Sequence, residues 1–273
     1  MHEQRLKIKS FLAGAAIHLA PSCGDAFGAA LIAHMGFEAV HLSGHAVHKS
    51  LGLPDAGLAS ANEFESRVLA IVDAVDLPLI VDGETGFGGV RNMRRTMRLL
   101  GRAGASAIHF EDQFTPRRYR SAGSPTIPIE EMVAKLKAAL DERRDESLAI
   151  VARSEERSSE AALIERLVAY AADGVDALWS SDFSADVIRQ VRARAHGIPF
   201  VGIATDARKA AAAGVRIAIY PTTAIIGAAW GMKTVLARLR EGAGAPDEVF
   251  RDLARMDEIR AWFRTLGEKK YAD

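Results

Sequence analysis

Ile80-Val81-Asp82-Gly83-Glu84-Thr85-Gly86-Phe87-Gly88-Gly89 decides the fold: an apolar run ends in two carboxylates and then in glycines. Leu77 to Val81 is apolar without alternation, the pattern of a strand buried on both faces of a parallel sheet. At the end of such a strand, Asp82 and Glu84 lie two apart and can aim at one small volume. Gly86, Gly88 and Gly89 let the backbone turn tightly or approach a ligand. Two crowded carboxylates need a proton or a cation between them, and oxygen-only donors favour Mg²⁺ over softer ions. The same residues also fit an N-cap followed by a glycine turn.

The chain has 273 residues, enough for one large α/β barrel or two ordinary domains, and its hydrophobic fraction of 49% supports a sizeable core. A formal net charge of +0 leaves no electrostatic footprint for nucleic acid or an anionic membrane, so a small molecule is the expected partner. Cys23 is the single cysteine, which excludes an internal disulfide and agrees with a reducing, cytoplasmic setting. The charged start, Met1 to Lys9, lacks the apolar core of a signal peptide, and no later run has membrane-spanning length.

Outward from the opening stretch, short apolar runs alternate with segments of helical period. Strands are expected at Ala15–Ala20, Ala39–Ser43, Leu77–Val81, Ala107–Phe110, Leu148–Ala152, Ala177–Ser180, Pro199–Ile203 and Arg216–Tyr220, each followed by a helical segment. Eight β/α units without a linker or composition break indicate a single (β/α)₈ TIM barrel over residues 1–245. The segment Gln113 to Pro128, with its prolines and the run Arg117-Arg118-Tyr119-Arg120, reads as a long lid-type loop. Residues 246–273 carry Val249, Phe250, Leu253, Ile259, Trp262, Phe263 and Leu266 beyond the closed barrel. They are expected to form a helical segment that packs across a neighbouring subunit.

In a barrel, residues at the C-terminal strand ends converge on one site. Here these are Ser43 and Gly44, Asp82 and Glu84, Glu111, and Arg153 with Glu155, while Asp55 sits in a proline loop able to reach the same mouth. Several acids beside one arginine suit a Mg²⁺ ion holding the oxygens of a small anion, with the arginine taking a carboxylate in a bidentate pair. His45 is the candidate substrate contact of its turn and His48 a capping or packing residue. His41 and His109 lie on strands as core or inter-strand residues, and Trp179 lines the mouth or packs beneath it. Cys23, just beyond the first strand, has no evident activating partner.

Leu42-Ser43-Gly44, Ser50 to Gly57, Val81 to Gly88, Ile108-His109-Phe110-Glu111-Asp112-Gln113, Ile150 to Arg153 and Ile219-Tyr220-Pro221 together resemble the isocitrate lyase and phosphoenolpyruvate mutase superfamily. The likeness is to short members of the methylisocitrate lyase type, and it covers nearly the whole chain. The resemblance implies a Mg²⁺ site, able to accept Mn²⁺, with Asp82 as direct ligand and Asp55, Glu84 and Glu111 acting mostly through waters. It implies that the backbone at Ser43, Gly44 and His45 cradles substrate oxygens, that Arg153 grips a carboxylate, and that the chain assembles as a tetramer or dimer with an exchanged C-terminal helix.

The sequence also departs from that family. The lyases carry Lys-Arg-Cys-Gly-His in the lid, with the cysteine as acid, whereas this chain has Arg117-Arg118-Tyr119-Arg120-Ser121. Tyr119 therefore stands in the cysteine's place, a bulkier and weaker acid. Ser181 replaces a lyase glutamate, Glu84 a usual aspartate, and Gly24 a common aromatic residue, and the mutases' lid pattern is absent as well. The expected function is a Mg²⁺-dependent C–C lyase or decarboxylase acting on a small 2-oxo or 2-hydroxy di- or tricarboxylic acid through a metal-stabilised enolate. Arg153 and Glu111 would act at the reacting groups, and Tyr119 or a water would handle the proton. Phosphonopyruvate mutase or hydrolase chemistry is the alternative, and a barrel that only binds a carboxylate is the reading from another class.

Overall fold

The computed structural model describes residues 1–116, 125–181, 184–203, 206–242 and 256–266. Eight parallel strands close in sequence order: β1 (His18–Cys23), β2 (Val40–Leu42), β3 (Leu79–Asp82), β4 (Ala107–Glu111), β5 (Ala149–Ser154), β6 (Ala177–Ser180), β7 (Phe200–Gly202) and β8 (Val215–Tyr220), which pairs back onto β1. This is the (β/α)₈ barrel that the sequence pattern predicts. β1 alone is displaced, starting and ending three residues later than expected. It runs through Pro21, whose missing N–H falls at the end of the β1/β8 ladder, and it meets β2 only at Ser22 and Cys23.

The helices are α1 (His2–Ala13), α2 (Ala26–His34), the short α3 (Gly44–Ser50), α4 (Ala61–Ala74), α5 (Val90–Ala103), α6 (Ile129–Glu142), α7 (Glu160–Ala171), α8 (Ala185–Arg194), α9 (Ala207–Ala213), α10 (Thr223–Arg240) and α11 (Met256–Thr265). Polar residues in the βα loops start several of them: Asp25 caps α2, Ser159 caps α7 and Ser184 caps α8. At α4, Ser60 and Glu63 form a reciprocal capping box.

Strand side chains alternate between two cores. Val40, Leu42, Val81, Ile108, Phe110, Ile150 and Leu178 face the surrounding helices. Ala39, Ile80, Ala107, Val151, Trp179, Val201 and Ile219 fill the barrel, joined by Ile8, Phe11 and Leu12 of α1, which plugs its N-terminal end. Arg5 anchors that plug by donating to Ala105 O at 3.0 Å, Gly101 O at 2.5 Å and Asp145 at 2.8 Å. By the same period of two, His41, Asp82, His109, Glu111 and Arg153 share the inward parity, and strand register sets Asp82 beside His109, Glu111 beside Arg153, and Arg153 beside Trp179.

The chain divides into two compact units, Met1–Thr222 and Thr223–Asp273. The first contains all eight strands. In the second, α10 leaves Ile226, Trp230, Met232, Leu236 and Leu239 exposed, and in α11 Trp262 is buried with its ring tilted against Phe263 at 5.4 Å. The boundary expected after residue 245 lies outside the described residues. Among the described residues, no helix is long and apolar enough to cross a membrane.

Candidate active site

The site grows from the turn that follows β3. Asp82 Oδ1 accepts from its own loop at Glu84 N (2.9 Å), while Oδ2 accepts from Gly44 N (3.0 Å) at the start of α3. The loop is tied down from below, Gly83 N donating to His109 O at 2.8 Å and Glu111 N to Glu84 O at 2.9 Å. Turning this tightly forces Glu84 to φ 50°, a left-handed conformation that costs a non-glycine residue on the order of 1 kcal/mol. The strain aims the Glu84 carboxylate back over the strand end.

Gly44 has to be glycine. A Cβ there would collide with Glu84 Oε1 and come within 2.8 Å of Asp82 Oδ2, so the absent side chain is what leaves room between the two acids. Ser43 caps α3, its Oγ accepting from Ala46 N, and its own N–H donates to Cys23 O at 3.1 Å. The amides of Ser43 and Gly44, expected to cradle substrate oxygens, are thus engaged within the framework of the site. His45 Nδ1 pairs with Asp55 Oδ2 at 3.2 Å, both side chains about one-third exposed at the mouth.

Two groups among the described residues bring metal-ligand atoms within 4.8 Å of one another: His48, Asp55 and Glu84, and His41, Asp82 and His109. In the first, His48 is not a ligand. Its Nε2 accepts from Leu58 N (3.1 Å) and Ala59 N (3.2 Å), so its proton is on Nδ1, which donates to Gly44 O at 2.7 Å. Both nitrogens are spent holding the 52–59 loop against α3, which leaves Asp55 and Glu84 as the oxygen donors. In the second group the two imidazoles bond each other, Nε2 to Nε2 at 2.9 Å, and His41 Nδ1 is engaged by Ser22, so Asp82 and the Nδ1 side of His109 remain.

Arg153 stands across the mouth. Its Nη1 lies 3.2 Å from Glu111 Oε2 and 4.0 Å from Asp82 Oδ2, its Nε and Nη2 are held by Glu155 Oε1, and its guanidinium carbon lies 4.5 Å over the Trp179 ring. Burial works against its charge, but Glu155, Glu111 and Asp82 keep it protonated. Burial likewise opposes ionisation of Asp82, yet electrostatic attraction to His109, Arg153 and His41, with the hydrogen bond from the Glu84 amide, holds its carboxyl well below the usual carboxylate range. Ser181, where the resemblance implies a glutamate, donates to Glu155 Oε1 at 2.7 Å, so an acid from the loop just past β5 occupies that corner.

The structure therefore brings together Asp82, Glu84, Glu111, Asp55, Arg153, Ser43, Gly44 and His45. Tyr119 lies outside the described residues. Cys23 is the last residue of β1 and is buried among the helix-facing side chains, where burial pushes its thiol up to about 12, removing it as a nucleophile. The donor set fits a hard divalent cation: acids converge on a gap kept open by Gly44, next to one fixed cation.

Acidic strand ends around one arginine at the C-terminal mouth of a closed parallel barrel define a (β/α)₈ enzyme. The family profile described as phosphoenolpyruvate phosphomutase matches residues 8–240, and the chain belongs to that family. It is 32% identical to the 2,3-dimethylmalate lyase of Eubacterium barkeri, covering 93% of this chain and 95% of that one. It is 30% identical to the oxaloacetate decarboxylase of Chromohalobacter salexigens, covering 98% of each. Among solved structures, phosphonopyruvate hydrolase superposes with a TM-score of 0.82 at 27% identity over 99% of both chains.

Proposed function

We propose that the protein breaks a C–C bond, by lysis or decarboxylation, in a small 2-oxo or 2-hydroxy di- or tricarboxylic acid, with Mg²⁺ or in its place Mn²⁺. The observation that carries the reading is the gap beside Gly44, faced by Asp82 and Glu84 and flanked by Glu111 and Arg153. Asp82 would hold the cation directly, with Asp55, Glu84 and Glu111 around it. The bound cation would supply Lewis-acid polarisation of a 2-oxygen and its adjacent carboxylate, which favours an enolate. Arg153, fixed on one edge by Glu155, would offer its Nη1 side to a substrate carboxylate in exchange for Glu111. His45, Ser43 and Gly44 border the same volume, and Tyr119 or a water would deliver the proton.

The relatives with C–C lyase and decarboxylase names match over nearly the full chain and support this reading. The likeness to phosphonopyruvate hydrolase supports P–C chemistry as the second reading. Oxaloacetate, 2-methylisocitrate, substituted malates and phosphonopyruvate should be incubated with the protein and Mg²⁺ while 2-oxo acid and phosphate are followed. Turnover of a C–C substrate, abolished by EDTA and in Asp82→Ala, is the expected result. Phosphate release from phosphonopyruvate would instead establish the second reading, and EDTA-insensitive turnover would sink both.

We also propose that residues 246–273 pack across a second copy, supported by the exposed Ile259, Phe263 and Leu266. Sedimentation at micromolar concentration should then give a dimer or tetramer, and a monomer would refute it. A reducing, cytoplasmic setting is supported by the lone buried Cys23.

A further inference from the structure

Beneath the acids, the barrel interior holds a line of polar groups that the proposed chemistry leaves unused. Ser22 Oγ is 2.7 Å from His41 Nδ1, and His41 Nε2 is 2.9 Å from His109 Nε2. Both rings are buried, and Trp179 meets each of them edge-on, at 4.3 Å from His109 and 5.9 Å from His41. His109 Nδ1 makes no hydrogen bond and faces Asp82 Oδ1 at 3.7 Å. Val151, Val201 and Ile219 show that the barrel interior accepts plain aliphatic filling, so two imidazoles there carry a desolvation cost that packing does not require.

The 2.9 Å contact between the two Nε2 atoms has room for a single proton, so at least one ring is neutral, and a third proton on the pair would leave an N–H on His109 Nδ1 in any case. Two neutral imidazoles carry two protons on four nitrogens, and the Nε2 to Nε2 bond contains one of them. Only two arrangements remain. In one, Ser22 donates to His41 Nδ1, His41 Nε2–H donates to His109 Nε2, and His109 Nδ1–H faces Asp82. In the other every bond is reversed, and a lone pair on His109 Nδ1 faces an ionised carboxylate. Asp82 is acceptor-only, so the first arrangement attracts where the second repels.

We infer that His41 is a positioning residue: by donating to His109 Nε2 it fixes the Nδ1–H tautomer of His109, which turns a third N–H toward Asp82 and orients that carboxylate for a divalent cation. The Glu84 and Gly44 amides hold Asp82 from the loop and from α3, and His109 Nδ1 faces it from below at 3.7 Å. This follows the general design in which outer hydrogen bonds set the orientation and basicity of a ligand. The inference rests on the reading of Asp82 as a metal ligand.

The test uses full-length protein labelled with ¹⁵N-histidine, together with His41→Leu and His41→Gln, and Mn²⁺ as the probe. In the wild type, His109 is expected to show a protonated, pyrrole-type Nδ1 and a pyridine-type Nε2, assigned by difference against His109→Gln. His41→Leu, which removes the donor, should weaken Mn²⁺ binding by about tenfold or more and mix the His109 tautomers. His41→Gln, whose amide N–H can still donate to His109, should retain most of the affinity. A pyridine-type Nδ1 on wild-type His109, or Mn²⁺ affinity unchanged in a folded His41→Leu, overturns the inference. Should His41→Leu fail to fold, the wild-type spectrum and His41→Gln decide it, and a glutamine variant that binds no better than a His109→Gln control overturns it. Absence of Mn²⁺ binding by the wild type would remove the metal reading itself, and the histidine spectrum would still report the tautomer.

Discussion

Arg5 and Arg153 sit at opposite ends of the barrel, both among carboxylates, and their surroundings differ in one respect. Arg5 spends its nitrogens on two carbonyls and a single acid, Asp145, and its charge is matched one to one. Arg153 faces Glu111, Glu155 and Asp82, with Glu84 and Asp55 close to the same mouth. The N-terminal end is electrostatically complete, whereas the C-terminal end carries more acid than its own cation balances. An added divalent cation has a place at one end and none at the other.

The contrast breaks most easily at Gly44. Gly44→Ala should abolish Mn²⁺ binding and lower turnover by about 10²- to 10³-fold or more, because the new methyl group occupies the gap between Glu84 and Asp82. Calorimetric titration and steady-state kinetics check it, and a variant that binds Mn²⁺ normally would remove the gap as the cation's place. Next in size, Arg5→Ala should destabilise the fold by about 3 kcal/mol in urea unfolding, leaving carbonyls and an acid without their donor, while kcat stays near wild type. Arg153→Lys should do the opposite, cutting kcat/KM by about 100-fold through the lost planar fork with little loss of stability. If both arginines behaved alike, the distinction between the two ends would fall.

The interior below the mouth should sharpen the comparison through pH. His41 is pushed down to about 4 in the folded protein, first by burial, while in the unfolded chain it titrates at about 6.5. Between those values the unfolded state binds the extra proton, so the stability is complete above about pH 6.5 and is lost as pH falls toward 4. The loss is on the order of 3 kcal/mol, and urea midpoints at pH 7 and 4.5 measure it. In His41→Leu that part of the slope should disappear. The smallest effect expected is Ser60→Ala, about 1 kcal/mol of stability with no change in turnover, since it removes only the cap of α4.

Much of this was legible in the chain itself. Strands buried on both faces read as unbroken apolar runs, and each ends where a charged or turn residue begins, so eight strands and the convergence of Asp82, Glu84, Glu111 and Arg153 follow from local pattern. What was not legible depends on distances across the barrel. His41 and His109 are recognisable as strand residues, but their mutual bond is not, although each stands two positions before a mouth residue, Ser43 and Glu111, and so shares the inward parity. The commitment of both His48 nitrogens requires the 52–59 loop to be folded back. Ser181 reads as a lost glutamate, and only the structure reveals that Glu155 fills the corner from the loop just past β5.

Glu84, a non-glycine residue held at φ 50°, has a consequence for anyone engineering this barrel. Asparagine tolerates left-handed backbone better than glutamate, so a selection scoring only resistance to heat should drift toward Glu84→Asn. Each such gain would shorten the side chain and discard one of the carboxylates facing the gap. Directed evolution for robustness would then enrich sturdier, inert barrels unless cation binding is scored in the same round.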